Sequence, residues 1–221
     1  MAKKARTRKP TPAPVKAYLI LYNLFCVAGW CGVLALTGQH ISANGAAGLE
    51  DGSLWKVIEV PLKIVQTAAF MEILHCREIL GFVPSTVGST FTQVFSRLAV
   101  VWGVNDVSPA SVSSWMFAMM ILSWCTVEIP RYLFYVVNVA SGGSESAMPA
   151  WLHFLRYSLF AVLYPTGITG EVSCFYRAFY SPADVKAMST VVLPWLDPIV
   201  KMVNPGFAGV SGAHFTVAAL V

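Results

Sequence analysis

Two side chains that could transfer protons lie seven residues apart in an apolar segment of the 221-residue chain. Tyr164 offers a phenol and Glu171 a carboxylate. Ionisable side chains at bilayer depth usually face the interior of a helix bundle and mark a functional site. Seven residues correspond to about 700° of helical rotation and roughly 10 Å of rise, so both side chains share one helix face. Pro165, Gly167 and Gly170 lie between them and would permit a kink that brings them together. The pattern indicates an acid–base pair held out of water, and a structural hydrogen bond between helices fits these residues equally well.

The composition is that of a membrane protein. Hydrophobic residues make up 56% of the chain and charged residues 12%, and the mean hydropathy is +0.63. A soluble domain carries about 25% charged residues. Much of the net charge of +4 comes from basic residues within 1–16, a proline-containing segment without acids. We predict that this segment is a disordered cytosolic tail. The rest of the chain has no basic stripe, so nucleic-acid binding is not predicted.

Five apolar segments approach or exceed the length of about 20 residues that a membrane-spanning helix needs. They lack period-two alternation, which excludes the strands of a β-barrel, and the first is too long for the apolar part of a cleaved signal peptide. The predicted fold class is therefore all-α, a polytopic membrane helix bundle over residues 17–180. After Pro182, three prolines and four charges predict that residues 181–221 are a divergent segment with a poor or incomplete sixth span. The five predicted spans are 17–37, 55–76, 87–104, 112–138 and 151–178, and segments 38–54 and 105–111 are predicted turns.

Other charged residues within the apolar segments stand at spacings that allow ion pairs inside one helix. Glu128 and Arg131 are three residues apart. Glu59 and Lys63 are four residues apart with the acid first, which is the better orientation for such a pair. Structural pairing is therefore the prediction for both.

The cysteines and histidines predict neither a metal site nor a disulfide framework. The five cysteines are scattered without a CxxC motif, and the four histidines form no HxxxH or HExxH pair. Cys76 could begin a phosphatase loop only if an arginine followed six residues later, and that position holds Phe82. Phosphatase chemistry is therefore not predicted.

One stretch of sequence resembles a known family signature. Leu155-Arg156-Tyr157 followed by Leu163-Tyr164-Pro165-x-Gly167-x-x-Gly170-Glu171 resembles the signature of the very-long-chain (3R)-3-hydroxyacyl-CoA dehydratases, also called the protein-tyrosine-phosphatase-like family. Further segments agree in the same order, and the likeness covers roughly residues 17–180. These segments are 18–23, 71–75, 93–97 and 124–135.

The resemblance implies a six-helix enzyme of the endoplasmic reticulum membrane. Members of the family remove water from (3R)-3-hydroxyacyl-CoA to give trans-2-enoyl-CoA, the third step of the fatty-acid elongation cycle. Their catalytic tyrosine and glutamate correspond to Tyr164 and Glu171. Dehydration needs a base for the C2 proton and an acid for the C3 hydroxyl. We expect Glu171 to be the base and Tyr164 the acid, and the residues leave the reverse assignment open.

The substrate and partners follow from the same resemblance. Arg97, Arg131, Arg156 and Tyr157 are the expected substrate-binding residues, with arginines near the CoA phosphates. Arg97 and Arg156 could instead reach the lipid headgroups. No metal or redox cofactor is expected, and CoA is part of the substrate. Expected partners are membrane lipid and the condensing enzyme (elongase), ketoreductase and enoyl reductase of the elongation cycle.

The sequence departs from the family pattern in three places. His75 and Gly81 are farther apart than expected, Pro130 replaces an aliphatic residue, and neither the last span nor a di-lysine tail is evident after Lys201. The alternative function is a non-catalytic membrane scaffold or transporter that keeps the fold. Glycine- and proline-broken helices in paired halves of the chain would favour a transporter, and only the fifth predicted span shows such a break.

Overall fold

A computed structural model describes residues 12–181 together with 183, 184, 186 and 187. Within these residues all regular structure is helical, which confirms the predicted all-α class. A π-helix over Ala99–Asn105 follows α4, and single 3₁₀ turns cover Ala47–Leu49 and Glu145–Ala147. The α-helices are α1 (Ala13–Asn44), α2 (Ser53–Ala68), α3 (Phe70–His75), α4 (Val87–Leu98), α5 (Pro109–Val112), α6 (Trp115–Ala140), α7 (Ala150–Ser158) and α8 (Phe160–Phe179).

The first helix is longer at both ends than the sequence predicts. It begins at Ala13, so residues 13–16 of the predicted disordered tail are helical, and the side chain of Lys16 donates to the carbonyl of Ala140 at 2.7 Å. It continues past residue 37 to Asn44, so the predicted turn over 38–54 is wrong in its first part. The side-chain amide of Asn44 donates to the carbonyl of His40 at 3.0 Å. Gly45, with φ of 59°, ends the helix.

Helices α1 and α6 form the centre of the bundle. α1 packs between α2 and α6, and α6 packs between α1 and α8. The buried residues of α1 recur every three or four positions and form one stripe, as expected for a helix that packs along its whole length. This stripe consists of Leu19, Asn23, Cys26, Trp30, Val33, Thr37 and His40.

Two helices in the described part of the chain, α1 and α6, are long and apolar enough to cross a membrane. Each of the other three predicted spans is divided into two helical pieces. Segment 55–76 divides at Ala69, segment 87–104 changes to a π-helix at Ala99, and segment 151–178 divides at Leu159. The prediction of five spans is therefore not confirmed. The two long apolar helices and the low charge content indicate a membrane-associated protein.

Helix α8 carries both candidate catalytic residues without a break between them. It runs from Phe160 to Phe179 through Pro165, and the interruption lies before both residues, at Leu159. The prediction of a kink between Tyr164 and Glu171 is therefore not confirmed by any break in the helix.

The chain beyond α8 returns to the start of α5. The buried carboxylate of Asp184 accepts hydrogen bonds from the hydroxyl of Ser108 and, at 3.2 Å, from the backbone N–H of Ala110. The predicted sixth span falls mostly on residues 188–221, which lie outside the described residues.

Candidate active site

The candidate site lies at a close contact between α8 and α6. A Cβ atom added at Gly170 would be 2.5 Å from the Cβ of Met120 and 2.9 Å from the carbonyl oxygen of Met116. Only a glycine allows the two helices to come this close. One turn earlier, the hydroxyls of Ser123 and Thr166 are 2.8 Å apart and join the same two helices.

Glu171 follows this close contact, which directs its carboxylate onto α6. The indole Nε1 of Trp124 donates to Oε1 of Glu171 at 3.0 Å. Trp124 is 2% exposed and Glu171 is half-buried. The residues described here provide no hydrogen-bond partner for the second carboxylate oxygen, Oε2. One oxygen is therefore fixed, and the other remains available for proton transfer.

Tyr164 lies two turns before Glu171 on the same helix. Because α8 is continuous, the two Cα atoms are separated by about 10 Å of rise and share one side of the helix. The side chain of Tyr164 is 55% exposed. Catalytic hydrogen bonds are often long before substrate binds, so this spacing is compatible with a pair that acts on a substrate lying between them.

Arg97, an expected substrate-binding residue, is engaged with the protein itself. Its guanidinium forms an ion pair with Glu128. The Cζ atom of Arg97 also lies 5.3 Å from the centre of the Trp124 ring, within the range of a cation–π contact. Arg97 therefore touches the same indole that binds Glu171.

Arg131 is also fully engaged. Its Nε donates to Glu128 at 2.6 Å, and its two terminal nitrogens donate to the two oxygens of Glu72 at 2.9 Å each. The hydroxyl of Tyr132 donates to Glu72 as well. The predicted pair Glu128–Arg131 is confirmed, and the cross-helix partners Glu72 and Arg97 were missed. Two arginines and two carboxylates form a chain with no net charge, which lowers the cost of burial.

The second predicted pair, Glu59–Lys63, is also confirmed. The Nζ of Lys63 lies 2.8 Å from Glu59 and also forms an ion pair with Asp106 at the end of the π-helix. Lys63 is held between the rings of Trp55 and Trp102, at 5.6 and 4.7 Å from their centres. This cluster is separate from Glu171 and joins α2 to the π-helix.

Tyr157 and Arg156 differ in exposure: Tyr157 is exposed, whereas Arg156 is intermediate, as Arg97 and Arg131 are. The ring of Tyr157 packs on His153 with a centre-to-centre distance of 4.7 Å. The Cζ of Arg156 lies 5.8 Å from the Tyr157 ring. Within the described part of the chain Arg156 pairs with no carboxylate. It is therefore the expected substrate-binding arginine whose charge is available to a ligand.

Two cavities lie near the site without including the candidate pair. A cavity of about 430 Å³ lies at the start of α6 and is lined by Trp115, Ser173 and Arg177, among others. A cavity of about 260 Å³ lies between α1, α3 and α6, and Glu72 and His75 are in its wall. Among the described residues no group of three histidine, cysteine or acidic side chains could hold a metal ion.

Comparison with known proteins identifies the family. Residues 66–206 match the sequence model of the family described as protein tyrosine phosphatase-like protein, PTPLA. The chain is 40% identical over 163 residues to the Arabidopsis thaliana protein named very-long-chain (3R)-3-hydroxyacyl-CoA dehydratase PASTICCINO 2, covering 74% of this chain and 69% of that protein. It is 35% identical over 180 residues to the Caenorhabditis elegans dehydratase hpo-8, covering 81% of this chain and 78% of that protein. It is 37% identical over 172 residues to Mus musculus dehydratase 2, covering 77% and 63% respectively. No solved structure matches the chain. On these matches, the chain belongs to the protein tyrosine phosphatase-like family, PTPLA.

Proposed function

We propose that this protein dehydrates very-long-chain (3R)-3-hydroxyacyl-CoA to trans-2-enoyl-CoA in fatty-acid elongation. Its relatives in Arabidopsis thaliana, Caenorhabditis elegans and mouse carry the name of that dehydratase. The single structural observation that supports the chemistry is the carboxylate of Glu171, which has one oxygen bound by Trp124 and lies two turns after Tyr164.

In the proposed reaction Glu171 takes the proton from C2 of the hydroxyacyl thioester. The electron pair of that C–H bond forms the C2=C3 double bond, and the C3–O bond breaks. Tyr164 gives its proton to the departing hydroxyl, which leaves as water. Glu171 is then protonated and Tyr164 deprotonated, and transfer of one proton from Glu171 to Tyr164 restores both groups. The reverse assignment of acid and base satisfies the same balance.

The CoA part of the substrate is proposed to lie near Arg156 and Tyr157. Arg156 has no carboxylate partner in the described part of the chain, whereas Arg97 and Arg131 are held by Glu128 and Glu72. The unpaired arginine is thus the better ligand for a phosphate, and Tyr157 offers an exposed ring beside it. The acyl chain would lie against apolar helix surfaces. No metal or redox cofactor enters this reaction.

The proposed location is the endoplasmic reticulum membrane, with several spans and a cytosolic N-terminus. The support is the six basic residues before Tyr18, which favour the cytosolic side. A tag placed at Met1 should be cleaved when protease is added to intact microsomes. A tag that resists protease until the membrane is dissolved would refute this orientation. The proposed partners are membrane lipid and the other three enzymes of the elongation cycle.

The decisive experiment for the catalytic pair uses Tyr164→Phe, Glu171→Gln and the double variant, purified in detergent and supplied with a very-long-chain 3-hydroxyacyl-CoA. Each single change removes a proton-transfer group and should lower kcat by about 10²–10⁴-fold. The double variant should be little worse than the single variants, because groups that act in one step are not additive.

The matched control is Glu59→Gln, which changes an acid on α2 that pairs with Lys63. Its kcat should stay within a few fold of the unmodified protein. Normal enoyl-CoA formation by Tyr164→Phe or Glu171→Gln, at normal protein levels, would disprove the catalytic assignment. If the unmodified protein made no enoyl-CoA, a scaffold or transporter would be favoured instead.

A further inference from the structure

Trp124 connects the candidate base to the buried charges of the bundle. Its Nε1 is 3.0 Å from Oε1 of Glu171, and one face of its ring lies 5.3 Å from Cζ of Arg97. Arg97 in turn pairs with Glu128, which is 2% exposed. The indole therefore has a fixed partner at its edge and another at its face.

The backbone of α8 also restricts where this indole can lie. A Cβ atom added at Gly167 would be 3.7 Å from Cδ1 and 3.8 Å from Nε1 of Trp124. The ring thus lies directly beneath a residue that has no side chain. Trp124 is only 2% exposed. The indole N–H is the single hydrogen-bond donor of this side chain, and it is directed at Glu171. A phenylalanine at this position would offer no donor.

We propose that Trp124 is a positioning residue for Glu171, holding Oε1 so that Oε2 faces the C2 proton of the substrate. This inference rests on the proposed function, because it assigns Glu171 as the base. Trp124 touches the carboxylate and not the reacting atoms. Arg97 supports Trp124 because its guanidinium lies against the face of the indole. This role explains why Arg97, although beside the candidate site, pairs with the buried Glu128 and is not available to the substrate.

The test compares Trp124→Phe with Trp124→His in the purified full-length protein. Phenylalanine keeps an aromatic ring and removes the donor. In histidine, Nε2 occupies the same position of the five-membered ring, two bonds from Cγ, that Nε1 occupies in tryptophan. Losing a hydrogen bond to a charged group should lower kcat by about 10- to 100-fold. KM should stay within about threefold, since Trp124 lies away from Arg156.

The order of the two variants separates positioning from packing. If the donor matters, Trp124→His should retain more turnover than Trp124→Phe, although it fills less space. If Trp124 only fills space, the order should be reversed, and that result would overturn the inference. The matched control is Trp102→Phe, which removes an indole that donates to Thr67 at 3.1 Å, away from the site. Its kcat should not change.

Two further outcomes are informative. An inactive Glu171→Gln together with wild-type turnover in Trp124→Phe would overturn this inference and leave the proposed function standing. Wild-type turnover in Glu171→Gln would overturn both. If Trp124→Phe does not accumulate, the kcat of Trp124→His alone is compared with that of the unmodified protein at equal protein level. At least a tenth of the wild-type kcat would support a donor role, and less than a tenth would refute it.

Discussion

The close contact at Gly170 gives the sharpest structural prediction. In Gly170→Ala the new methyl group would lie 2.5 Å from Cβ of Met120 and 2.9 Å from the carbonyl oxygen of Met116. Ordinary carbon–carbon contacts are about 3.5–4.0 Å. Helix α8 must therefore move away from α6 by roughly 1 Å at this point. The adjacent residue is Glu171, so this movement is transmitted to the candidate base.

The consequences for activity and stability should differ in size. The bond from Trp124 to Glu171 is 3.0 Å long, and a hydrogen bond is lost beyond about 3.5 Å. A displacement of about 1 Å exceeds this margin and can cost about 10²-fold in rate. Overpacking costs about 1–3 kcal/mol, and alanine regains about 1 kcal/mol of helix propensity over glycine. The net loss of stability should therefore be only about 0–2 kcal/mol.

Gly167→Ala is the matched control, on the same helix and one turn earlier. Its methyl group would meet its nearest neighbour, Cδ1 of Trp124, at 3.7 Å, an ordinary contact. It should retain kcat within a few fold and have an equal or higher unfolding temperature. Enoyl-CoA formation and thermal unfolding of the detergent-solubilised variants measure both effects. Normal turnover in Gly170→Ala, or an equal loss in Gly167→Ala, would refute the role of this helix contact.

Two other predictions concern charge. Glu128→Gln removes a buried carboxylate that pairs with the partly buried Arg97 and Arg131 and should destabilise the protein by about 3–5 kcal/mol. Glu59→Gln, at a side chain 36% exposed, should cost less than about 1 kcal/mol; equal unfolding temperatures for the two variants would contradict this reasoning. Arg156→Ala should raise KM several-fold at low salt with little change in kcat, and the difference from the unmodified protein should shrink as salt screens the phosphates. A KM that does not change at any salt concentration would place the CoA phosphates elsewhere.

Interactions within one helix could be predicted from the sequence. Glu128 and Arg131 pair at 2.6 Å, and Glu59 and Lys63 pair at 2.8 Å. In both cases the spacing of three or four residues fixes the geometry before any tertiary structure is known. The all-α class was predictable for a related reason. Long apolar segments without alternation favour helices, because a helix pairs its own backbone N–H and C=O groups within the segment.

Contacts between helices could not be predicted in the same way. Glu72 meets Arg131 across 59 residues of sequence, and Arg97 meets Glu128 across 31. Both contacts depend on the depth and rotation of separate helices, which spacing does not determine. Trp124 gives no sequence signal as a donor to Glu171, because a tryptophan in an apolar helix usually indicates packing. Gly170 was interpreted from the sequence as part of a kink, whereas the structure shows a close contact of α8 with Met120 and Met116 on α6.

The breaks in the helices were missed because no breaking residue marks them. Ala69 and Leu159 are both good helix formers, and both keep right-handed helical dihedral angles at the interruptions. At Leu159 the break separates α7, which carries Arg156, from α8, which carries Tyr164 and Glu171. Gly170→Ala changes the helix contact beside Glu171, whereas Arg156→Ala removes a charge that has no carboxylate partner in the described part of the chain. The two substitutions should therefore affect kcat and KM independently.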